Sequence, residues 1–585
     1  MVKITINEQV VDANPDETIM DVAFRIGLDI PNFCYDEKIS RSGSCRMCVV
    51  EVEGARTLIP SCSTKVKDGM KIKTHSQRVI NSRKMTLQLL MANHPSCLEC
   101  NRNLSCNLQK YCEELMMNEQ KFKPNRDTKR DSNVILTRDN KLCILCGKCV
   151  KYCDEVQSVH AIDFIRRGAD TYIGCALDMP VDKSSCVGCG QCVLHCPTGA
   201  LNETYEVEPV IKALNQSDKD HKKHVVVQVA PSVRVTVGEL FGYEPGTIVT
   251  GKIISAFKKM GFDAVYDTDF GADLTIVEEA NELIERLQGK AKNNALPMFT
   301  SCCPAWVKFA ETYFPELTPN LSTCKSPQEM HAAIAKSHYA EKIGIKPEDI
   351  IMTSLMPCTA KKFEKARPEF SHNGIKDIDN VLTAREFGRL CKILAVDFRE
   401  LPDSDFDPAL GESSGAAALF GNTGGVMEAA LRTAYETTTG KKLTKLEFDQ
   451  IRGYNGIKTG SIIIGDKEVR FAVAHGLKNA RVLAEQVRNG TSPYHFIEVM
   501  ACPGGCIGGG GQPRPTSVDV IKRRISGIYQ VDSMKPIRRS HENPSIQKLY
   551  SEFLGKPGSE KAHHLLHTSF ITRDEWFYPK EENKE

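Results

Sequence analysis

Five cysteines in the second half of the chain have the residue type and the spacing to bind an iron–sulfur cluster. Cys302 and Cys303 are adjacent in TSCCPAW, Cys358 ends MPC, and Cys502 and Cys506 belong to MACPGGC. A four-iron cubane needs only four thiolates. If the cubane takes Cys303 and the cysteines of the two later segments, Cys302 is left beside the cluster as a candidate proton carrier.

Further motifs accompany these cysteines. They are APSVR at 230–234, EEANELIER at 278–286, STCKSPQ at 322–328, MPCTAKKFE at 356–364, FGNTGGVMEAALRT at 420–433 and ACPGGCIGGGGQP at 501–513. In this order, the motifs resemble the active-site domain of [FeFe]-hydrogenases, and the resemblance extends through nearly the whole chain. It implies an H-cluster, in which a cubane is bridged through one cysteine to a diiron unit with CO, cyanide and azadithiolate ligands. The implied cubane ligands are Cys303, Cys358, Cys502 and, as the bridge, Cys506.

The resemblance also implies a pocket that holds the diiron unit by packing and hydrogen bonds. Lys361 is expected to donate to one cyanide, and Pro231 and Ser232 to place an amide and a hydroxyl near the other. Gln328 is expected to hydrogen-bond near the bridging CO. A polarizable apolar wall is assigned to three residues, although each methionine taken alone is more simply a core residue. They are Met356, Phe420 and Met500.

Two acids in EEANELIER are the candidates for moving protons. Glu279 and Glu282 are three residues apart, so on a helix both project from nearly the same face. The resemblance implies a relay in the order Cys302, Glu282, Ser322, Glu279, with Arg286 near its outer end. Without that resemblance, two acids on a helix are more simply a solvated face.

Residues 126–208 carry two copies of CxxCxxCxxxC. In this ferredoxin motif the fourth cysteine of each run binds the other cluster. One cubane is therefore expected on Cys143, Cys146, Cys149 and Cys196. The other is expected on Cys186, Cys189, Cys192 and Cys153.

Residues 79–125 contain a histidine followed by a group of cysteines. The segment resembles the [4Fe–4S] region, with one histidine and three cysteine ligands, that [FeFe]-hydrogenases share with a complex I subunit. That family usually has three residues between the histidine and the first cysteine, whereas only Pro95 and Ser96 stand here. Cys112 is therefore an alternative fourth ligand. The implied ligands are His94, Cys97, Cys100 and Cys106.

Residues 1–78 contain four more cysteines in a wide-gap pattern with one CxxC pair. They resemble the loop of plant-type [2Fe–2S] ferredoxins, although the gaps differ from that family's spacing. A zinc site is the alternative, but it would more often use two CxxC pairs. The implied ligands are Cys34, Cys45, Cys48 and Cys62.

The composition supports this interpretation and excludes others. The chain has 24 cysteines in 585 residues, yet a disulfide scaffold belongs to small secreted domains. The start, MVKITINEQVV, has no apolar signal-peptide core and no twin-arginine signal, so a cytoplasmic location is expected. With 76 basic and 74 acidic residues, no bulk charge favours nucleic acid. No run of 18 apolar residues predicts a membrane span.

The sequence also predicts the strands and helices that position the catalytic cysteines. HVVVQVAPSVRV, DIIMTSLMPC and HFIEVM are apolar, β-branched runs that alternate with helical patterns at 251–261 and 275–288. Such alternation predicts parallel sheets covered by helices, with functional loops at the strand ends. The cysteine segments stand at such ends.

The predicted fold class is therefore multidomain, α+β and α/β. The expected domains are a β-grasp [2Fe–2S] ferredoxin-like domain at 1–78, a histidine-ligated [4Fe–4S] domain at 79–125, a bacterial 2[4Fe–4S] ferredoxin-like domain at 126–208 and a two-lobed α/β catalytic domain with parallel sheets at 209–585.

The function implied by the resemblance is reversible formation of H₂ from two protons and two electrons. Accessory clusters, one [2Fe–2S] and three [4Fe–4S], would relay the electrons. One alternative is a hydrogenase-like iron–sulfur electron-transfer or assembly protein, against which the retained Cys302, Lys361 and acids argue. The other alternative is a sensory hydrogenase, for which the sequence carries no signalling module.

The expected partners are H₂ and protons, hydrogenase maturation proteins, and either ferredoxin or partner subunits that bind flavin and NAD(P). The phrases RRGADTYIG, VGCGQCVLHC and KAHHLLHTSF resemble the catalytic subunit of multimeric, electron-bifurcating hydrogenases. GGGG at 508–511 follows a ligand rather than a strand and is not a phosphate loop. Any NAD(P) chemistry would therefore lie on a partner subunit.

Overall fold

The computed structural model describes residues 1–92, 94, 97–117, 119–122, 130–215, 223–372 and 374–573. The predicted domain boundary at 125 and the tail at 580–585, predicted to be disordered, lie outside these residues. The chain divides into two compact units. The first comprises Met1–Val156, His160–Ser184 and His195–Asn202, and the second Gln157–Val159, Ser185–Leu194 and Glu203–Glu585.

The first unit opens on a mixed sheet packed against a short helix. Its strands lie in the order Gln9–Ala13, Val2–Ile6, Lys71–Lys73, Val49–Val52 and Ile59–Pro60. Ile4 and Ile6 point into the core because side chains alternate between the faces of a strand. The helix Ile19–Arg25 is held at its start by a capping box between Thr18 and Asp21.

A longer helix, Gln77–Met91, follows this sheet. Its start is capped by Ser76, whose hydroxyl accepts a hydrogen bond from the Val79 amide. Its buried Arg83 donates to the carbonyls of Met47 and Val49, each at 3.0 Å. Further helices are Asn107–Glu114 and Lys148–Lys151, and further strands are Arg130–Ser132, Leu136–Asp139, Asp163–Ile165, Tyr172–Gly174 and Leu201–Glu203.

The second unit contains a parallel sheet whose strands are buried on both faces. Their order is Ala264–Asp267, His224–Val229, Ile350–Met356 and Asn380–Thr383. The covering helices include Thr250–Met260, Thr268–Leu287, Pro327–Ile334 and Ala384–Ile393. A central strand buried on both sides reads as a continuous apolar run, which is why these strands were recognisable in the sequence.

A second sheet in this unit has the order Met298–Phe299, Phe496–Met500, Lys467–His475 and Ile457–Ile464. The first three strands are parallel, but the last pairs antiparallel. The prediction of purely parallel sheets is therefore wrong at this edge. A two-residue turn of Gly465, at φ +66°, and Asp466 closes an edge hairpin.

The catalytic cysteines of the second unit follow strand ends, as predicted. Cys303 comes shortly after Met298–Phe299, Cys358 after Ile350–Met356 and Cys502 after Phe496–Met500. Carboxyl ends of neighbouring parallel strands share one edge of a sheet, so their loops meet. The remaining α-helices of the unit are Val207–Leu214, Pro304–Tyr313, Ala340–Ile343, Ala360–Glu364, Gly415–Ala418, Gly425–Thr439, Leu477–Arg488, Val518–Met534, Pro544–Leu549 and Glu560–Leu566.

Across the described ranges, none of the helices combines the length and the apolar character that crossing a membrane would require.

Candidate active site

The cysteines predicted to hold the catalytic cubane converge in the second unit. Burial raises the pKa of Cys358 to about 12, and the neighbouring Cys303 adds to this shift. Burial likewise raises the pKa of Cys502 and of Cys506, with further contributions from Cys303 and Cys358. Thiols that oppose one another's ionisation must lie close together. A buried set of such thiols fits a cubane, whose iron stabilises thiolates.

The loop between Cys502 and Cys506 owes its shape to two glycines. Gly504 has φ +82° and Gly505 has φ +97°, and a Cβ on Gly505 would lie 2.5 Å from the Thr423 nitrogen. The Gly504 amide donates to Nδ1 of His475 at 3.2 Å. Burial lowers the pKa of His475 to about 4, so its neutral ring can accept there. The two glycines and the His475 contact thus define the path of the loop.

The GGGG segment after Cys506 lets the backbone of other segments approach closely. This packing explains its glycines without a phosphate-binding role. A Cβ on Gly509 would lie 2.4 Å from the Pro357 carbonyl oxygen, and one on Gly510 would lie 2.6 Å from the Cys189 carbonyl oxygen. Gln191 Nε2 donates to the Gly508 carbonyl at 2.9 Å. The second ferredoxin cysteine run therefore packs directly on the loop of the catalytic cysteines.

Cys302 and Cys303 have different surroundings although they are adjacent. The Cys303 sulfur accepts a hydrogen bond from the Ala501 amide at 3.5 Å, as is common for thiolate ligands. Burial raises the pKa of Cys302 well above its usual range, and the nearby Glu279 carboxyl raises it further. Cys302 therefore stays a protonated thiol beside an acid. Burial raises the pKa of Cys303 as well, so the pKa does not separate the two thiols. The Ala501 amide favours Cys303 as the ligand, and the neighbouring Glu279 favours Cys302 as the proton carrier.

The two relay acids stand in the reverse of the predicted order. Glu279 is the acid that acts on Cys302. Glu282 instead accepts from Ser322 Oγ at 2.9 Å and forms a 2.6 Å ion pair with Arg286. The sequence-derived order, with Glu282 next to the thiol, is wrong because one helical turn moves Glu282 along the axis toward Arg286. The observed order is Cys302, Glu279, Ser322, Glu282 and Arg286.

Glu279 is a neutral acid at physiological pH. Burial, together with repulsion from Glu282, raises its pKa to about 8, with the Ser322 hydroxyl acting in the opposite direction. Its side chain is 1% exposed, and neither carboxyl oxygen has a hydrogen-bond partner among the described residues. A buried acid with this pKa can both release and take up a proton near neutral pH. The solvated-face alternative is therefore excluded for Glu279.

Arg286 lies at the outer end of the series, as predicted, but it is not itself a proton carrier. Its side chain is buried and every guanidinium N–H is used: Nε and Nη2 bind Glu282, and the carbonyls of Ala295, Pro319 and Leu321 accept the rest. A guanidinium does not release a proton in a protein. Arg286 therefore positions Glu282 through the ion pair.

Lys361 is buried with a carboxylate partner that the sequence interpretation overlooked. Its Nζ donates to Glu364 at 2.7 Å and to the Cys302 carbonyl at 3.3 Å. Burial opposes the charged form, but Glu364 raises the pKa of Lys361 overall. An ammonium has three donors, so one more can point at an anionic ligand. Glu364 was recognisable from the sequence because it stands three residues later on the same helix, Ala360–Glu364.

Gln328 is placed differently from its prediction. Its Nε2 hydrogens go to Glu329 at 2.9 Å and Glu364 at 3.1 Å, while its buried Oε1 has no partner among the described residues. A CO ligand offers no hydrogen to Oε1. Donation from Gln328 to that ligand would therefore require the amide to turn.

Ser232 is fully buried next to a residue that the sequence interpretation missed. Gln512 Nε2 donates to Ser232 Oγ at 3.4 Å and to the Cys506 carbonyl at 3.1 Å. Thr236 Oγ1 fixes the other end of this amide at 2.7 Å. Gln512 thus joins the APSVR segment, which includes Pro231, to the bridging cysteine. Its only signal in the sequence was its place at the end of the glycine run.

The predicted apolar wall is only partly assembled in one cluster. Phe420 and Met500 belong to the buried cluster that contains Cys302, and Cys303 and Cys506 pack against it. Met356 is buried in the core of the other sheet. Met356 therefore packs as an ordinary core residue, although it stands only two residues before Cys358 in the chain.

The cysteines of the first unit form two compact groups. Cys34 and Cys45 are 3.4 Å apart at their sulfurs, and Cys48 and Cys62 lie next to them and are equally buried. A pocket is lined by the four cysteines predicted for one accessory cubane, namely Cys143, Cys146, Cys149 and Cys196. Both groups fit the predicted ligand sets. Of the remaining set, Cys153 belongs to the first unit and Cys186, Cys189 and Cys192 belong to the second.

His94 has the properties of a metal ligand. Burial lowers its pKa to about 4, and its buried Nε2 has no hydrogen-bond partner among the described residues. A neutral imidazole with an unused nitrogen can coordinate iron. The competing Cys112 lies near Cys106 and Cys97, and its sulfur contacts the Met91 sulfur at 3.3 Å. Pro95 and Ser96, which make the shortened spacing, lie outside the described residues.

His94→Ala is expected to alter the EPR signal of one [4Fe–4S] cluster, because the cluster loses its only imidazole ligand. H₂ evolution with a small artificial electron donor should largely persist, since His94 belongs to the first unit and the catalytic cysteines belong to the second. Cys112→Ser is the matched control. An unchanged signal in His94→Ala together with its loss in Cys112→Ser would assign the fourth ligand to Cys112.

Comparison with known proteins gives consistent matches along the chain. Residues 223–510 match the family described as iron only hydrogenase large subunit, C-terminal domain, and 518–573 the iron hydrogenase small subunit. Residues 1–77 match a 2Fe-2S iron-sulfur cluster binding domain. Residues 179–202 match a 4Fe-4S binding domain, and 83–121 match the NADH-ubiquinone oxidoreductase-G iron-sulfur binding region.

Individual relatives agree with these family matches. The chain is 47% identical to the NADP-reducing hydrogenase subunit HndD of Solidesulfovibrio fructosivorans, across 98% of this chain and 99% of that one. It is 41% identical to iron hydrogenase 1 of Clostridium pasteurianum, across 97% and 100%. The solved structure of apo [FeFe]-hydrogenase HydA1 from Chlamydomonas reinhardtii is 42% identical with a TM-score of 0.57, covering 63% of this chain and 99% of that one.

Proposed function

The chain belongs to the [FeFe]-hydrogenase family, and from that premise we propose that its Cys302, Glu279, Ser322 and Glu282 carry protons for the interconversion of H⁺ and H₂. The buried neutral acid beside a buried thiol carries this proposal. An electron-relay protein has no use for such a pair, because electron transfer between clusters needs no proton donor.

The residues of the pocket divide the work. The diiron unit, when bound, supplies the redox chemistry at which protons are reduced. Cys302 holds a proton at Sγ at the inner end of the relay, and Glu279 replaces it after each transfer. The Lys361 ammonium, anchored by Glu364 at 2.7 Å, provides fixed positive charge for anionic ligands. The Phe420 and Met500 side chains exclude water, which keeps these interactions strong.

We assign the accessory clusters to the electron pathway. One [2Fe–2S] and three [4Fe–4S] centres are expected on the cysteine sets and His94. The packing of Cys189 and Gln191 on the loop after Cys506 supports an electron path that ends at the catalytic cubane. Cubane-to-cubane transfer favours such close contact between ligand loops.

Anaerobically matured protein is expected to contain about 20 iron atoms per chain, given one two-iron centre, four cubanes and the diiron unit. The same preparation should evolve H₂ from a reduced artificial donor and show infrared bands of CO and cyanide. Protein prepared without maturation proteins is the control and should keep its cubanes without those bands. Iron near half the expected amount would contradict the cluster assignment, and full iron with both bands but no H₂ would contradict the function.

We further propose that this chain is the hydrogen-converting subunit of a larger NAD(P)-linked complex in the cytoplasm. The likeness to a subunit of an NADP-reducing hydrogenase supports this proposal. Anaerobic copurification from the native cell should recover partner chains with flavin and NAD(P) sites, as measured by the mass of the complex and its flavin content. Recovery of the chain alone, active with reduced ferredoxin, would instead favour the ferredoxin-coupled alternative.

A further inference from the structure

A histidine of the C-terminal segment lies next to the outer relay acid. Glu282 Oε2 lies 3.2 Å from Thr323 Oγ1, and Thr323 Oγ1 lies 2.7 Å from His567 Nδ1. The backbone fixes this contact, because the Thr568 amide donates to the Thr323 carbonyl at 2.8 Å. Thus one hydroxyl joins the imidazole to Oε2 of Glu282, whereas Arg286 binds Oε1.

The orientation of the imidazole is set from its other nitrogen. His567 Nε2 lies 3.1 Å from Glu278 Oε2, and Glu278 also accepts from the Gly558 amide at 2.9 Å and from the Tyr550 hydroxyl. A carboxylate holds the proton of a neutral imidazole on the nitrogen that faces it. Nδ1 is therefore directed at Thr323 and is available to take and release a proton.

His567 lies one ring away from solvent. Its side chain is 5% exposed, and the ring of the exposed His563 stacks on it with centroids 4.6 Å apart. Lys292, Glu278 and Glu282 are the other charged groups that act on His563. Facing Glu282, the buried Cys324 sulfur lies 3.8 Å from Oε2, and burial keeps that thiol protonated by raising its pKa.

We propose that His567 is the proton entry residue of the relay, and that it connects solvent to Glu282 through the Thr323 hydroxyl. The protonated imidazole transfers its Nδ1 proton to Thr323 Oγ1 while that hydroxyl transfers its own proton to Glu282. One N–H bond and one O–H bond break as two O–H bonds form. Hydronium from solvent then returns a proton to the neutral imidazole and becomes water. The sequence runs backward when H₂ is consumed. The direction of net proton flow, into or out of the site, is the one part of this proposal that rests on the proposed function.

The residues around His567 belong to sequence motifs, but they have no role in the predicted relay. Glu278 is the first residue of EEANELIER, Thr323 and Cys324 belong to STCKSPQ, and His567 ends the histidine run of KAHHLLHTSF. Arg286 then acts as a positioning residue for Glu282, because all of its donors are engaged.

The test follows proton access to Glu279 rather than turnover. In protein that carries its cubanes but lacks the diiron unit, the protonated Glu279 carboxyl gives an infrared band, identified by its loss in Glu279→Gln. Transfer into D₂O should shift this band at a measurable rate. Thr323→Val and His567→Ala are expected to slow the shift about tenfold or more, because each interrupts the hydrogen-bonded chain.

Three comparisons separate proton transfer from structural support. Thr323→Ser keeps the hydroxyl and should exchange at the parental rate. Added imidazole should restore exchange in His567→Ala but not in Thr323→Val. His541→Ala removes a histidine that contacts Thr433 and Glu436 instead, and it should leave exchange unchanged.

Parental exchange in both Thr323→Val and His567→Ala would overturn the proposal. Slow exchange in His567→Ala alone, unrelieved by imidazole, would overturn it too, since His567 would then be structural. The measurement needs no H₂ chemistry. Failure of the protein to evolve H₂ would therefore count against the proposed function and would leave the role of His567 to be decided by exchange.

Discussion

Cys302→Ser is expected to retain the catalytic cubane and the CO and cyanide infrared bands, and to lose most turnover. The loss should be on the order of 10²-fold or more, because a hydroxyl is a far poorer proton carrier than a thiol. Cys302 is buried beside Glu279, so its proton exchange is expected to depend on that carboxyl. H₂ evolution with an artificial donor measures the loss of turnover, and the infrared spectrum of the same sample shows whether the CO and cyanide bands are retained.

Cys302→Asp is the matched variant, since a carboxyl can still take and release a proton, and part of the activity should return. Two outcomes would contradict the assignment. Loss of the cubane in Cys302→Ser would make Cys302 a ligand and Cys303 the free thiol. Turnover near the parental rate with intact bands would show that protons reach the site by another path.

Glu279→Gln is expected to reduce H₂ evolution by a similar amount, on the order of 10²-fold or more. The amide has nearly the same shape and fits a site where the parental acid is neutral, so folding and cluster content should be unchanged. Glu279→Asp keeps the carboxyl at a shorter reach and should retain intermediate activity. Parental activity in Glu279→Gln would remove Glu279 from the relay.

The pH dependence of the parental enzyme should report the same residue. Burial raises the pKa of Glu279 to about 8, so the carboxyl holds a proton below that pH and loses it above. Evolution of H₂ needs the protonated acid and should decline as the pH rises through about 8. Consumption of H₂ needs the ionised acid and should not decline over the same range. The decline in evolution should disappear from the residual activity of Glu279→Gln.

The ligand chemistry was readable from the sequence because cysteine spacing is a local property. A CxxC pair brings two sulfurs to one metal wherever it stands, and the number of thiols bounds the number of clusters. Strand ends were readable for a similar reason. Ile350–Met356 and Phe496–Met500 are apolar runs buried on both faces, and the cysteines directly follow them.

The order of the relay was not readable, because sequence gives the spacing of two acids but not their neighbours. Glu279 and Glu282 share a helix face, and only the fold shows that Ser322 contacts Glu282 and that Glu279 lies beside Cys302. Burial also belongs to the fold. The raised pKa of Glu279 arises from exclusion of water by segments far along the chain, which no local pattern records.

The same distinction applies to contacts between residues that are far apart in the chain. The sequence by itself determined the family, the ligand types and the candidate thiol, since these depend on residue identity and short spacings. The tertiary structure decided that Gln512 joins Ser232 to Cys506 and that His567 meets Thr323 across 244 residues. Such contacts form only when distant segments pack together, because a hydrogen bond depends on distance and direction in space rather than on position in the chain.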